Sequence, residues 1–292
     1  MEPLQIDAQP ELSRPIAVLA YAGWNDAASA ATNAARLVVR RLGARRFAKI
    51  DPEMFYNFQE SRPSVRISAS GARELRWPNT EFFYARNPGG QHDIVVGIGV
   101  EPNLRWATYV KLQGELLRSL GVELVVSLGA LLADVPHTRP TRVTGSSTDP
   151  EVAERLNLAR SRYEGPTGIV GVLHQVLREQ SLPAMSLWAN VPHYVTTSQN
   201  PPASSALLQR LEDVLGVAFD YRELKAASER FIREVNIALS AKPEMLEYVK
   251  QLEEALEIVE AQDRDGEADP GDPGDVVGDI ERFLREQRPG ED

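Results

Sequence analysis

Two rhythms alternate along the chain: short unbroken apolar runs, and longer stretches in which apolar residues recur every three to four positions. Ile16-Ala-Val-Leu-Ala-Tyr-Ala22 is of the first kind and predicts a strand covered on both faces. Gly23-Trp24-Asn25-Asp26 then supplies turn formers and a cap, predicting an Ala-rich helix over Ala27 to Leu42 that stops at Gly43. Phe47 to Asp51 reads as a second strand, and Tyr56 to Ala85 as short antiparallel strands or a hairpin insertion. Asp93 to Val100 and Glu123 to Ala130 repeat the buried-strand signal around a helix carrying Tyr109, Leu112, Leu116 and Leu120 on one face. Pro136 to Pro140 is a rigid loop, Arg142 to Ser147 a short strand, Pro150 to Arg160 and Ile169 to Gln180 helices, Ala184 to Ala189 a last strand and Asn190 to Tyr194 a loop. Such alternation predicts right-handed crossovers and a three-layer α/β/α sandwich with a mixed, mostly parallel sheet. Ligands of such sheets bind at the carboxyl ends of the strands.

The last third changes character. Helices are predicted over Ser204 to Leu215, over Tyr221 to Leu239 and from Pro243 onward. In the last of these Met245, Val249, Leu252, Leu256 and Val259 form a seam of about two heptads, too short to stand alone. It must pack on the preceding helix, giving a helical hairpin, or on a neighbouring subunit; the second alternative makes these residues an interface. The predicted organisation is an N-terminal arm (1–14), an α/β core (15–220), the helical hairpin (221–262) and an acidic, largely disordered tail (263–292). Within the tail Val277, Ile280, Phe283 and Leu284 are spaced for a short amphipathic docking helix.

Composition narrows the function classes. Of a formal net charge of −10, most falls on residues 263–292, which hold 11 Asp or Glu against 4 Arg, so the body is nearly neutral and lacks the basic surface nucleic acid requires. The cluster Arg36, Arg40, Arg41, Arg45, Arg46 and Lys49 reads as a helix end answering its dipole. With no cysteine there is no disulfide framework, thiolate metal site or Cys nucleophile, which fits a cytoplasmic protein. The longest apolar stretch, Leu124 to Ala133, is far short of a membrane span. The preference for arginine over lysine points to a GC-rich bacterial genome.

Motifs for catalysis are sparse. There is no P-loop, and Gly97-Ile-Gly-Val-Glu-Pro102 lacks the third glycine of a dinucleotide fingerprint. Gly165, Gly168 and Gly171 open a helix whose N–H groups suit either an anion or close packing. His92, His137, His174 and His193 have no ligand spacing, so neither metal nor cofactor is expected. Ser146 and Ser147 lack a nucleophile elbow. What remains is a strand-end pocket built from Trp24, Asn25, Asp26, His137, Arg139, Thr167, His193 and Tyr194. An enzyme using it would draw acid–base groups from Asp26, His137 and His193, with Arg139 as anion holder. The structural reading makes Asn25 or Asp26 a helix cap, has His137 and Arg139 order their loop, and places Trp24 in the core or an interface.

Four separated segments resemble the proteasome assembly chaperone 2 (PAC2) family over roughly residues 10 to 260: Ala22-Gly-Trp-Asn-Asp-Ala-Ala28, Leu128-Gly-Ala-Leu-Leu-Ala-Asp-Val-Pro-His-Thr-Arg-Pro140, Gly165-Pro-Thr-Gly-Ile-Val-Gly171 and Leu187-Trp-Ala-Asn-Val-Pro-His-Tyr194. The resemblance implies a fold similar to purine nucleoside phosphorylases, self-association often as trimers, and binding to proteasome subunits or a proteasome-associated protein. It thus points to a non-enzymatic, homo-oligomeric binding factor, with a phosphorylase- or hydrolase-like enzyme as the alternative. Family members that dock on the proteasome ring can use a C-terminal hydrophobic-Tyr-x tail; Pro289-Gly-Glu-Asp292 departs from it.

Overall fold

The computed structural model describes residues 3–87, 89–147, 150–155, 158–160 and 165–264. Its strands are β1 (Leu4–Ile6), β2 (Ile16–Ala22), β3 (Arg45–Ile50), β4 (Ser64–Ile67), β5 (Arg73–Arg76), β6 (Thr80–Ala85), β7 (Ile94–Val100), β8 (Leu124–Ala133), β9 (Val143–Ser147), β10 (Ala159–Arg160) and β11 (Ala184–Pro192). The helices are α1 (Ala30–Arg41), α2 (Trp106–Ser119), α3 (Pro150–Arg155), α4 (Ile169–Glu179), α5 (Pro201–Leu215), α6 (Arg222–Ser240) and α7 (Pro243–Arg264). Nine strands form one sheet in the order β1-β3-β6-β7-β2-β8-β11-β9-β10, and β4 and β5 form a separate ribbon. The centre, β7-β2-β8-β11, is parallel, while β1, β3 and β6 pair antiparallel on one flank and β9 lies antiparallel to β11 on the other.

Alternation along β2 builds both outer layers. Ile16, Val18 and Ala20 point to the face covered by α1 and α5, and Ala17, Leu19 and Tyr21 to the face covered by α2 and α4. All six are buried, which is why the sequence shows a continuous apolar run rather than alternation. The α/β/α sandwich of the sequence reading is therefore the fold.

Several boundaries differ from expectation. The N-terminal arm contributes β1, whose Leu4 pairs with Ile50 at the sheet edge. The helix expected over Pro150 to Arg160 is only α3, and Ala159 and Arg160 pair with Ser146 and Ser147 as β10. Asn190, Val191 and Pro192, expected in a loop, continue β11 because β8 runs on to Ala133 and offers partners at Leu131, Leu132 and Ala133. The first helix begins at Ala30 after a 3-10 turn over Ala27–Ser29, with Ala28 and Ser29 in the left-handed region at φ 49° and 52°.

Helices α6 and α7 form a hairpin closed at Ala241-Lys242. Val249 packs with Phe231, Val235, Leu239 and Val195, with Met245 at the margin. Leu252 is fully enclosed by Val135, Tyr194 and Tyr248. Val249 and Leu252 of the seam are thus covered inside one chain, the first by α6 and the second by residues after β8 and β11; Leu256 is also buried, and the side chain of Val259 lies outside those described. Val277, Ile280, Phe283 and Leu284 lie outside the described residues. No helix among the described residues is long and apolar enough to cross a membrane.

Candidate functional site

Because β2, β7, β8 and β11 are parallel, the loops that follow them gather at one end of the sheet. β3 runs the same way, being antiparallel to β6, which is antiparallel to β7. The segment between β3 and β6, including the β4–β5 ribbon, therefore emerges at that end too.

The loop after β2 is organised by two carboxylates. Asp26 caps α1: Oδ1 accepts from the Ala31 and Thr32 N–H groups at 2.7 and 3.3 Å, and Oδ2 accepts from the Thr32 hydroxyl at 2.5 Å. Burial raises its pKa above the ordinary aspartate value, and these donors oppose the rise. Glu101, immediately after β7, holds the start of α4. Its Oε1 accepts from the Ile169 N–H at 2.8 Å and from Asn25 Nδ2 at 3.0 Å. Gly168 permits this approach, since a Cβ there would fall 2.5 Å from Asn25 Oδ1. The helix N-terminus weighed above as an anion site thus already carries an internal carboxylate. Thr167 is exposed beside it, its hydroxyl 3.4 Å from the Gly168 carbonyl.

A second group is built from the loops after β8 and β11 together with α6 and α7. The Tyr194 hydroxyl lies 2.9 Å from the His137 backbone nitrogen and 2.8 Å from its Nδ1, and Nε2 lies 3.0 Å from Asn236 Oδ1. One tautomer satisfies all three contacts: Nε2–H donates to Asn236, and Nδ1 accepts from the tyrosine hydroxyl, which accepts in turn from the His137 N–H. Both ring nitrogens are engaged. Burial lowers its pKa, while Asn236 and Glu253 act in the opposite direction. Burial also pushes Tyr194 up to about 12. His193 Nδ1 and the Tyr248 hydroxyl meet Asp134 Oδ1 at 2.8 and 3.0 Å, and the His193, Tyr194 and Tyr248 rings pack edge to face at 5.7 to 5.9 Å. Thr138 bonds Glu253, and Arg139 pairs with Glu257. These polar contacts fasten α7 over the strand ends.

The residues expected to line one pocket therefore divide. Asn25, Asp26 and Thr167 belong to the helix starts, while His137, Arg139, His193 and Tyr194 belong to the latch under α7. No hydrogen bond or ion pair among the described residues joins Asp26 to the latch. A cleft with an empty volume of about 480 Å³, including its open mouth, is lined by His137, Arg139, Asn190, Asn200, Phe231 and Leu256 among others, and of the expected residues only His137 and Arg139 reach it. Among the described residues no three His, Asp or Glu side chains gather as a metal-holding group. Sequence reasoning missed Glu101, Asp134, Asn236 and Tyr248. Glu101 had a signal, since it directly follows a core strand; Asn236 and Tyr248 had none, because their role needs the hairpin to fold back.

Trp24 takes neither the core nor the pocket. It stands at the tip of the β2 loop, 69% exposed, with Leu104 after β7 at 49% and Leu132 near the end of β8 at 58%. Since β7, β2 and β8 are consecutive in the sheet, the three form a row along its carboxyl end. The ribbon, which emerges at the same end, exposes Val65, Ile67, Leu75 and Trp77.

A model of the PAC2 family matches residues 20–239. The chain belongs to the PAC2 family. A PAC2 family protein from Streptomyces avermitilis is 41% identical across 80% of this chain and 99% of that one, with a TM-score of 0.73. The same values hold for Mycobacterium tuberculosis Rv2125, described as a proteasome-assembly chaperone homologue. At 18% identity, Pyrococcus furiosus PbaB, an archaeal proteasome activator, shares the fold with a TM-score of 0.65 over 80% of this chain and 98% of that one. No curated protein matches the chain. For this PAC2 family member the matched region takes in α1 to α5 and nearly all of α6, so both carboxylate-capped helix starts and most of the latch lie within it.

Proposed function

We propose that this chain is a non-enzymatic protein-binding assembly factor, akin in role to proteasome assembly chaperones, that offers the carboxyl end of its sheet to a client. Trp24 carries the reading. A tryptophan 69% exposed at the centre of a row of apolar side chains is the kind of anchor that dominates protein interfaces. The groups an enzyme would draw on at this end are already engaged: Asp26 by three donors, both ring nitrogens of His137, and Arg139 by Glu257. That engagement supports binding over a phosphorylase- or hydrolase-like reaction. The proposed client is a proteasome subunit or proteasome-associated protein, a reading supported by the description of the 41% identical Rv2125. The factor acts as a homo-oligomer, by preference a trimer, in the cytoplasm.

Titrating purified proteasome α and β subunits from the same species against the full chain by calorimetry tests the client. Binding is expected, and Trp24→Asp is expected to weaken it by about 30-fold or more, the equivalent of about 2 kcal/mol at a hot spot. Binding unchanged in the variant, or absent in the native chain, overturns the reading. Light scattering tests the assembly separately; a mass near 32.3 kDa removes the homo-oligomer.

A further inference from the structure

The β4–β5 ribbon has no layer beneath it. Every residue of both strands is exposed, and a two-stranded ribbon in water is marginal without a surface to lie on. Its turn is well made: Gly71 takes φ +81°, and Ser68 and Ala72 close the loop with an N–H to carbonyl bond of 2.8 Å. Its base is anchored by the Phe58–Trp77 contact at 4.8 Å. The register puts Val65 opposite Leu75 and Ile67 opposite Arg73, so three apolar side chains and an arginine share one face. Residues 61–79 contain Arg62, Arg66, Arg73 and Arg76 against Glu74, and none of these arginines forms an ion pair among the described residues. The ribbon is a basic arm with an uncovered apolar face.

The chain supplies the complement. Residues 265–292, outside the described residues, contain ten Asp or Glu against three Arg, and among them Val276, Val277, Ile280, Phe283 and Leu284. We propose that this acidic segment docks on the β4–β5 ribbon, its apolar residues against Val65, Ile67 and Leu75 and its carboxylates meeting Arg73 on that face and, around the edges of the ribbon, Arg66 and Arg76 on the opposite one. Reach does not limit the contact. Twenty-eight residues span up to roughly 90 to 100 Å when extended, whereas a body of this length has a radius of gyration of only about 18 Å. Docking there brings the segment to the carboxyl end of the sheet and makes it a competitor for whatever partner the ribbon face receives.

The chain has no cysteine, so Ala69→Cys at the ribbon turn and Gly290→Cys in the segment can carry a donor and an acceptor dye on the full chain. Efficient energy transfer is expected in about 0.05 M salt, falling at least about twofold near 1 M as the charges are screened. Arg66→Glu with Arg73→Glu and Arg76→Glu should lower transfer, as should Asp279→Lys with Glu281→Lys and Glu286→Lys. Combining the two sets should restore it, a rescue that a merely unfolded ribbon does not give. Transfer that appears only when singly labelled chains are mixed keeps the same occupant and makes the contact an exchange between copies. Transfer insensitive to both reversals, or lost in both without rescue, overturns the proposal, as does absence of transfer in either arrangement.

Discussion

Single residues at the strand ends act by closing off hydrogen-bonding capacity. Glu101 places one carboxylate oxygen on both the first N–H of α4 and the Asn25 amide, so Glu101→Ala leaves two donors unpaired. We expect this variant to lose about 1–3 kcal/mol, visible in denaturant unfolding, with Glu101→Gln losing less because one oxygen remains. His174 belongs to the interior: burial lowers its pKa to about 4 from 6.5, and Nε2 meets the Ser127 hydroxyl at 3.0 Å. Between those two values the unfolded chain holds a proton that the native state refuses. Stability contributed by His174 is therefore complete above about pH 6.5, declines as pH falls, and levels off below about pH 4, for a total of about 3 kcal/mol. His137 adds to the same slope, whereas Asp26, with its raised pKa, opposes it because its buried charge is relieved by acid. His174→Gln should flatten the pH dependence of unfolding between pH 4 and 6.5; an unchanged slope would assign the acid sensitivity elsewhere.

At the scale of elements, the α6–α7 hairpin is the piece whose position the chain order conceals. Its apolar stripe is spent on Val195, Val135 and Tyr194, which lie in or beside the loops after β8 and β11. Leu252→Ala removes a fully buried side chain from that junction and should cost about 2–5 kcal/mol. Hydrogen exchange should accelerate in α6 and α7 while the strands of the centre stay protected, and the mass by light scattering should not change. A variant that keeps its exchange pattern but loses mass would place the seam between subunits instead. The ribbon behaves oppositely: its apolar residues are spent on nothing within the described chain, so Leu75→Ser should leave thermal stability within about 0.5 kcal/mol of the native value.

For the molecule as a whole, one end of the sheet gathers the β2, β7 and β8 loops, the ribbon and the fastened helices, while the two outer layers carry the stability. Trp24→Asp therefore separates function from folding: exposed at the loop tip, it should leave the melting temperature unchanged and weaken client binding by about 30-fold or more. Truncation after Arg264 should likewise shift the melting temperature by less than about 2–4 °C, the change expected for 1 kcal/mol in a chain of this size. A larger fall would mean that the acidic segment supports the core rather than the ribbon.

Legibility followed the range of the forces. The runs Ile16–Ala22, Asp93–Val100 and Glu123–Ala130 could be read as buried strands because burial on both faces leaves a continuous apolar record, and the cap at Asp26 because it acts on N–H groups five and six residues away. The sequence by itself determined the α/β class, the order of its layers' elements, the hairpin period of α6 and α7 and the charge of the acidic segment. Only the tertiary structure decided that Glu101 occupies the start of α4, that His137 ends between Tyr194 and Asn236, and that Trp24 faces solvent. The first two depend on contacts between residues 57 to 99 positions apart, where pairing is set by which strands lie side by side and not by any periodicity the chain carries locally.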